Sequence, residues 1–257
     1  MRAQTLPAAA GWNWILGGIA LYRRSPAALA MLVVLYWFIV LFLNVLPLLG
    51  PLLASMAIPA LSVGLMQAAR HAERGVTITP AVLFSALRES GRSLFALGAL
   101  YLCATLGALA VSALFDGGNL FQFMLADSKA ERAAFEDADF TVSAAVVMLL
   151  LTPVVMAWWF APVLLAWHRL SLAKALFFSL IACAMNWRPF LVYGLGLFVV
   201  AGIVPAVVLG LLLALIPAGG NFLVGLVVMP LALIVAPVVF ASFYAGYRDI
   251  FGISEIV

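Results

Sequence analysis

Asn186-Trp187-Arg188-Pro189 ends a moderately amphipathic segment, places one positive charge, and opens a long apolar run. The junction recurs. Arg23-Arg24-Ser25-Pro26 stands near the N-terminus and Ser90-Gly91-Arg92-Ser93 in the middle, each ahead of another apolar run. The chain therefore divides into three copies of one unit: a surface helix, a basic corner and two membrane-spanning helices.

Composition sets the solvent. Of the 257 residues 67% are hydrophobic and 9% charged, against roughly 45–50% and about 25% in soluble domains. Six runs without Asp, Glu, Lys or Arg cover 27–45, 51–69, 94–115, 142–167, 190–216 and 222–247. About twenty apolar residues at 1.5 Å each cross a ~30 Å hydrocarbon layer. The net charge of +3 comes from residues beside these runs, so no nucleic-acid partner is expected. Ala8-Ala9-Ala10 resembles a signal-peptidase site, but no apolar stretch of roughly 7–15 residues precedes it. The first run is thus expected to be an uncleaved span.

Between the spans lie three segments with helical periodicity. Trp12, Ile15, Ile19 and Tyr22 share one face of the first, as in a helix lying among headgroups. Thr79-Pro80 starts the second, with Leu83, Phe84 and Leu87 opposite Arg88, Glu89 and Arg92; Ser171 is expected to cap the third. Ser25 is likewise placed to cap the first span, with Pro26 at its first position. The far-side connections Asn44–Pro51 and Pro217–Asn221 carry no charge, whereas 116–141 is an acidic loop with Lys129 and Arg132 as its only cations. A short helix is expected near 126–135.

Eleven of the thirteen Lys and Arg residues fall on the side of both termini, which the positive-inside rule makes cytoplasmic. The 116–141 loop then faces the periplasm in a bacterial cell. Prolines repeat in the even-numbered spans as Pro51 and Pro59, Pro153 and Pro162, Pro230 and Pro237, followed by Arg70, Arg169 and Arg248. The expected fold is an all-α integral membrane protein with six transmembrane helices in three parallel repeats, each an interfacial amphipathic helix plus a helical hairpin. The units are 8–74, 77–169 and 171–250, within a single membrane domain spanning 1–257.

Gly11-Trp12-x-Trp14, Arg23-x-x-Pro26, Pro47-x-x-Gly50-Pro51, Pro59-Ala60-x-Ser62-x-Gly64 and Phe115-x-Gly117-Gly118 together resemble a family of uncharacterised six-helix inner-membrane proteins of Burkholderia-like proteobacteria. The resemblance extends over nearly the whole chain. In layout the chain is also distantly similar to the membrane domain fused to some glycerophosphodiester phosphodiesterases, without their catalytic domain. The resemblance implies a location and a fold, and no reaction.

No span carries an ionisable Asp, Glu, Lys or Arg, the usual mark of a proton relay or gating charge. His71 and His168 sit at span ends with no metal-ligand spacing around them, and Cys103 and Cys183 form no CxxC. Neither catalytic residues, metal ligands nor cofactors are expected, and the protein is expected not to be an enzyme. Trp12, Trp14, Arg23, Arg24, Arg92, Trp187 and Arg188 are the candidate contacts to anionic lipid headgroups or to a protein partner. The leading expectation is a non-catalytic protein organising lipid or a partner at the cytoplasmic face of the inner membrane. The alternative is a transporter or flippase of a neutral or amphiphilic substrate through proline-broken helices. Its path would run past Pro59, Ser62, Thr152, Pro162, Pro205, Pro237 and Ser242, because proline frees backbone carbonyls inside a span. The structural reading of those prolines, as kinks repaired by their neighbours and inherited with the repeat, is favoured over the functional one.

Overall fold

Proline and the short polar junctions divide the apolar chain into helices. A computed structural model describes residues 3–47, 49–116, 138–215 and 221–252, and among these every regular element is helical. Helix α1 (Ala10–Arg24) meets α2 (Pro26–Asn44) at Ser25, and Pro26 takes the first turn of α2, where its missing N–H costs nothing. Ser25 and Ser171 both occupy N-cap positions, but neither hydroxyl makes a capping hydrogen bond. After α3 (Leu49–Arg74), a 3-10 turn (Pro80–Phe84) runs into α4 (Ser85–Asp116).

The segment expected as a separate second surface helix is therefore this turn plus the start of α4. Only a kink at Ser90 (φ −137°, ψ 19°) divides it from the span. Helices α5 (Ala138–Trp159) and α6 (Ala161–His168) form the fourth apolar stretch and α7 (Leu172–Met185) is the third surface segment. The fifth stretch comprises α8 (Trp187–Leu197), a π-helical segment (Phe198–Ile203) and α9 (Val204–Leu215), and α10 (Asn221–Phe251) is the sixth. Six helical stretches are long and apolar enough to cross a membrane: Pro26–Asn44, Leu49–Arg74, Pro80–Phe115, Val142–His168, Trp187–Ala214 and Leu226–Phe251. The acidic loop and the helix expected near 126–135 lie outside the described residues apart from the helical flanks, as does most of the 217–221 turn.

The prolines act unequally. Helices α3 and α10 run unbroken through Pro59, Pro230 and Pro237. Only the fourth stretch breaks, at Phe160 just before Pro162. Ahead of Pro205 the fifth stretch widens into its π turn instead, which moves the carbonyl ladder off the proline ring. The expectation of proline-broken helices thus applies to one even-numbered span rather than three.

Packing is densest toward the end of the bundle that carries the surface segments. One cluster joins Trp14, Ile15, Phe160, Leu164, Tyr193, Tyr244 and Phe251; a second joins Leu29, Leu32, Leu61, Leu65 and Leu83. Helix α1 lies on α8 and α10, the 3-10 turn on α3, and α7 on α5 and α6. Close backbone approach seats them. A side chain at Gly11 would strike the Pro189 carbonyl, one at Gly18 the Val238 carbonyl, and one at Gly64 the Leu83 backbone. Elsewhere on the spans, Leu114, Met148 and Leu149 are more than half exposed. Such exposure costs nothing where the surroundings are hydrocarbon, because lipid tails are as apolar as leucine.

Candidate functional site

The basic corners are built by helix ends. Helix α7 stops at Asn186, whose side chain is wholly buried: Oδ1 accepts the Leu6 N–H at 2.9 Å, and Nδ2 donates to the Gln4 and Ala182 carbonyls, each at 2.9 Å. Trp187 turns outward, 57% exposed, and the Arg188 guanidinium lies over its ring, 5.3 Å from the centroid. Arg23 and Arg24 are exposed at the end of α1, where Arg24 Nη1 donates to the Glu73 carbonyl at 2.7 Å. Arg92 is exposed just beyond the Ser90 kink.

The two tryptophans of α1 part company. Trp12 is 44% exposed, whereas Trp14 is 1% exposed and meets Phe190 and Tyr193 edge-on at 5.3 and 5.6 Å. Residues two apart stand about 200° around a helix of 3.6 residues per turn. Once one face seats on the bundle, both cannot reach headgroups, so Trp14 is corrected from an interface contact to a core residue. Its Nε1–H is buried without a hydrogen-bond partner among the described residues.

Three of the seven residues expected along a substrate path come together. Pro59, Ser62 and Pro162 line one cavity of about 280 Å³, with Tyr101, Trp158, Trp159, Phe160, Phe240 and Phe243 supplying aromatic walls. The Ser62 hydroxyl donates to the Pro59 carbonyl at 2.8 Å, and Trp158 Nε1 donates to the Leu97 carbonyl at 3.0 Å. The other four lie elsewhere. Thr152 is on an exposed face of α5, bonded to the Met148 carbonyl at 2.7 Å. Pro205 lines a separate groove of about 340 Å³ between α9 and α10. Pro237 is buried, and Ser242 is sealed in a 2.6 Å hydrogen bond with the Tyr193 hydroxyl.

A second, polar pocket of about 290 Å³ follows along the same helices, lined by Gln67, Arg70, Ser85, Glu89, Trp167 and Arg169 among others. Arg70 is half-buried, its guanidinium 5.2 Å from the centroid of the Trp167 ring. Gln67 Nε2 pairs with His71 Nε2 at 3.1 Å, and the Ser85 hydroxyl is spent on the Val82 carbonyl at 2.8 Å. Arg169 adopts φ 50°, the left-handed region that bulky residues seldom enter. In sequence Arg70 and Arg169 mark only the ends of spans; their meeting with Glu89 depends on how α3, α4 and α6 pack. The aromatic walls gave no local signal either, because tryptophan and phenylalanine are common in any span.

A third cluster ties helix ends together. Arg248 Nη1 and the Tyr244 hydroxyl both donate to the Glu73 carboxylate at 2.5 Å, and Arg248 Nε donates to Asp249 at 3.0 Å. His168 Nε2 meets the Tyr247 hydroxyl at 2.6 Å. Of the two cysteines, Cys103 is exposed and Cys183 is buried, and burial pushes the Cys183 thiol up to about 12. Among the described residues no group of three or more His, Cys, Asp or Glu side chains stands together.

Six membrane-length helices with charge confined to their ends define a multi-pass, all-helical membrane protein. The chain is 35% identical over 261 residues to the protein named "Probable inner membrane protein BTH_II0599" of Burkholderia thailandensis, an alignment covering 99% of this chain and 96% of that one. It belongs to the same family and is a multi-pass inner-membrane protein. No family model and no solved structure matches it.

Proposed function

We propose that the protein is non-catalytic and organises lipid, or a protein partner, at the cytoplasmic face of the inner membrane. The observation that carries this is the Asn186 junction, where a buried anchor holds an outward tryptophan with a guanidinium stacked on it. Indole suits the headgroup depth, and each cation near an anionic surface contributes ~1 kcal/mol. Arg23, Arg24 and Arg92 offer the same chemistry at the other two corners. Both termini are assigned to the cytoplasm by the distribution of Lys and Arg, with the 116–141 segment on the periplasmic side. The three-repeat reading, each unit an interfacial amphipathic helix and a hairpin, is supported by a shared packing rule. Each surface segment lies on the even-numbered span of another unit: α1 on α10, the 3-10 turn on α3, α7 on α5 and α6.

Arg188→Glu is expected to lower co-purifying anionic lipid or partner about fivefold or more, given ~1 kcal/mol per charge, and Trp187→Ala to lower it by removing the ring on which the guanidinium rests. Retention equal to wild type in both variants overturns the reading. The transporter alternative is favoured by one observation, the convergence of Pro59, Ser62 and Pro162 on a single cavity. It requires a polar thiol reagent to reach Ser62→Cys from the aqueous side, with Thr152→Cys and Ser242→Cys as positions off the cavity.

A further inference from the structure

The aromatic cavity and the polar pocket have the same walls. On α3, Pro59, Ser62 and Met66 line the cavity, while Val63, Gln67 and Arg70 line the pocket. On α6, Pro162 belongs to the first, and Ala166, Trp167 and the following Arg169 to the second. Helix α4 contributes Tyr101 above and Ser85, Ala86 and Glu89 below. From Ser62 to Arg70 is eight residues, about 12 Å along a helix axis. The two spaces are thus stacked along one seam, one suited to hydrocarbon and the other to charge.

We infer that they form a single site for one bilayer phospholipid with a zwitterionic headgroup. The phosphate lies on Arg70 and Arg169, the ammonium at Glu89, and the start of an acyl chain in the aromatic cavity. This adds to the anionic-lipid corners a second, selective lipid site on other residues, and rests on the reading that the protein organises lipid.

Four features point to this ligand. The cavity, at about 280 Å³, stands near the lower edge of ligand pockets, ~300–1,000 Å³, and holds part of a chain rather than a whole lipid. A planar guanidinium matches phosphate in a bidentate fork, and stacking on Trp167 holds Arg70 in place before binding. Arg169, in the left-handed conformation with which α6 ends, lines the pocket as a second, exposed cation. Finally, Glu89 lines the same pocket as the two cations, and among the described residues no ion pair joins it to Arg70 or Arg169. A purely anionic headgroup would use the two cations and leave that carboxylate without a partner. A phosphate shared by the two guanidiniums, with an ammonium beside it, gives each of the three side chains an opposite charge to meet.

The test uses the full chain, delipidated in detergent and titrated with defined lipids, bound molecules being counted by native mass spectrometry. Phosphatidylethanolamine is expected at one per chain, at least tenfold tighter than diacylglycerol of the same chains and severalfold tighter than phosphatidylglycerol. Arg169→Gln, at an exposed position, is expected to lower binding severalfold, and the double variant with Arg70→Gln at least tenfold. Glu89→Gln is expected to erase the preference for phosphatidylethanolamine over phosphatidylglycerol. Ser62→Trp, which fills the cavity, is expected to weaken both lipids equally. Equal binding of all three lipids to wild type overturns the inference, as does Arg169→Gln binding unchanged. Arg188→Glu separates the two claims: if it leaves anionic lipid and partner unaffected while Arg169→Gln loses the bound lipid, the junction reading fails and the site stands. The reverse pattern sinks the site alone.

Discussion

Asn186 puts a side-chain amide where no water reaches and satisfies it with three backbone groups, two of them about 180 residues away in sequence. Replacing it with alanine leaves the Leu6 N–H and the Gln4 carbonyl without their partner. Leu6 is half-buried and Gln4 exposed, so water replaces part of what is lost and the cost is about 1 kcal/mol. Asn186→Ala is therefore expected to lower the thermal midpoint in detergent by several degrees and to expose the N-terminal segment to protease, both measurable on one preparation. At this scale the sequence is only half legible. Asn186 is visible as a junction residue, but nothing local identifies residues 4 and 6 as its partners. The Trp12 and Trp14 pair fails for a simpler reason: indoles mark interfaces statistically, and helix geometry sends these two to opposite faces.

Helices in lipid gain little from burying leucine, so the seating of one element on another depends on how closely backbones approach. Gly18 shows the point, because a Cβ there would collide with the Val238 carbonyl and with Ser242. Gly18→Val is expected to lift α1 off α10 at a cost of about 1–3 kcal/mol or more, seen as a lowered melting temperature and increased proteolysis of α1. Gly210→Ala is the contrasting case, since nothing lies within 4 Å of its would-be Cβ. Removing a helix glycine there is expected to stabilise by about 0.5–1 kcal/mol. Hydropathy located all six spans because charge is excluded from hydrocarbon. It did not reveal that the second surface segment continues into α4, since a bend at one serine separates a joined helix from a divided one. Nor did it tell the prolines apart. Whether the backbone breaks, widens or simply curves depends on the neighbours that absorb the missing hydrogen bond.

Across the whole molecule, Glu73 is the tie between distant ends. Its carboxylate takes Arg248 and Tyr244 from α10, while its carbonyl takes Arg24 from α1. The Arg248 and Glu73 side chains are 29% and 22% exposed, so solvent screens part of the attraction. Glu73→Gln is expected to cost about 1–2 kcal/mol, below the ~1.5–3 of a fully buried charged hydrogen bond. A double-mutant cycle with Arg248→Gln in detergent unfolding measures the coupling, and additive effects would show that the pair contributes nothing. Six spans, with their charge asymmetry, could be counted from the sequence. The stacked cavity and pocket could not, because their walls come from three helices whose mutual packing no single stretch encodes.

The contacts of the N-terminal segment also set an order in time. Leu6 leaves the ribosome 180 residues before Asn186, a wait of roughly 10–40 s at ~5–20 residues per second. Gln4 waits longer still for the Ile250 carbonyl, to which its N–H donates at 2.8 Å. Throughout that interval α1 has neither α8 nor α10 to lie on, and Trp14 has no Phe190 or Tyr193 to pack against. The first helix made is among the last to be fully seated, so a nascent chain stalled before Asn186 would hold α1 only by its lesser packing on α2 and α3, open to whatever quality control surveys the membrane surface.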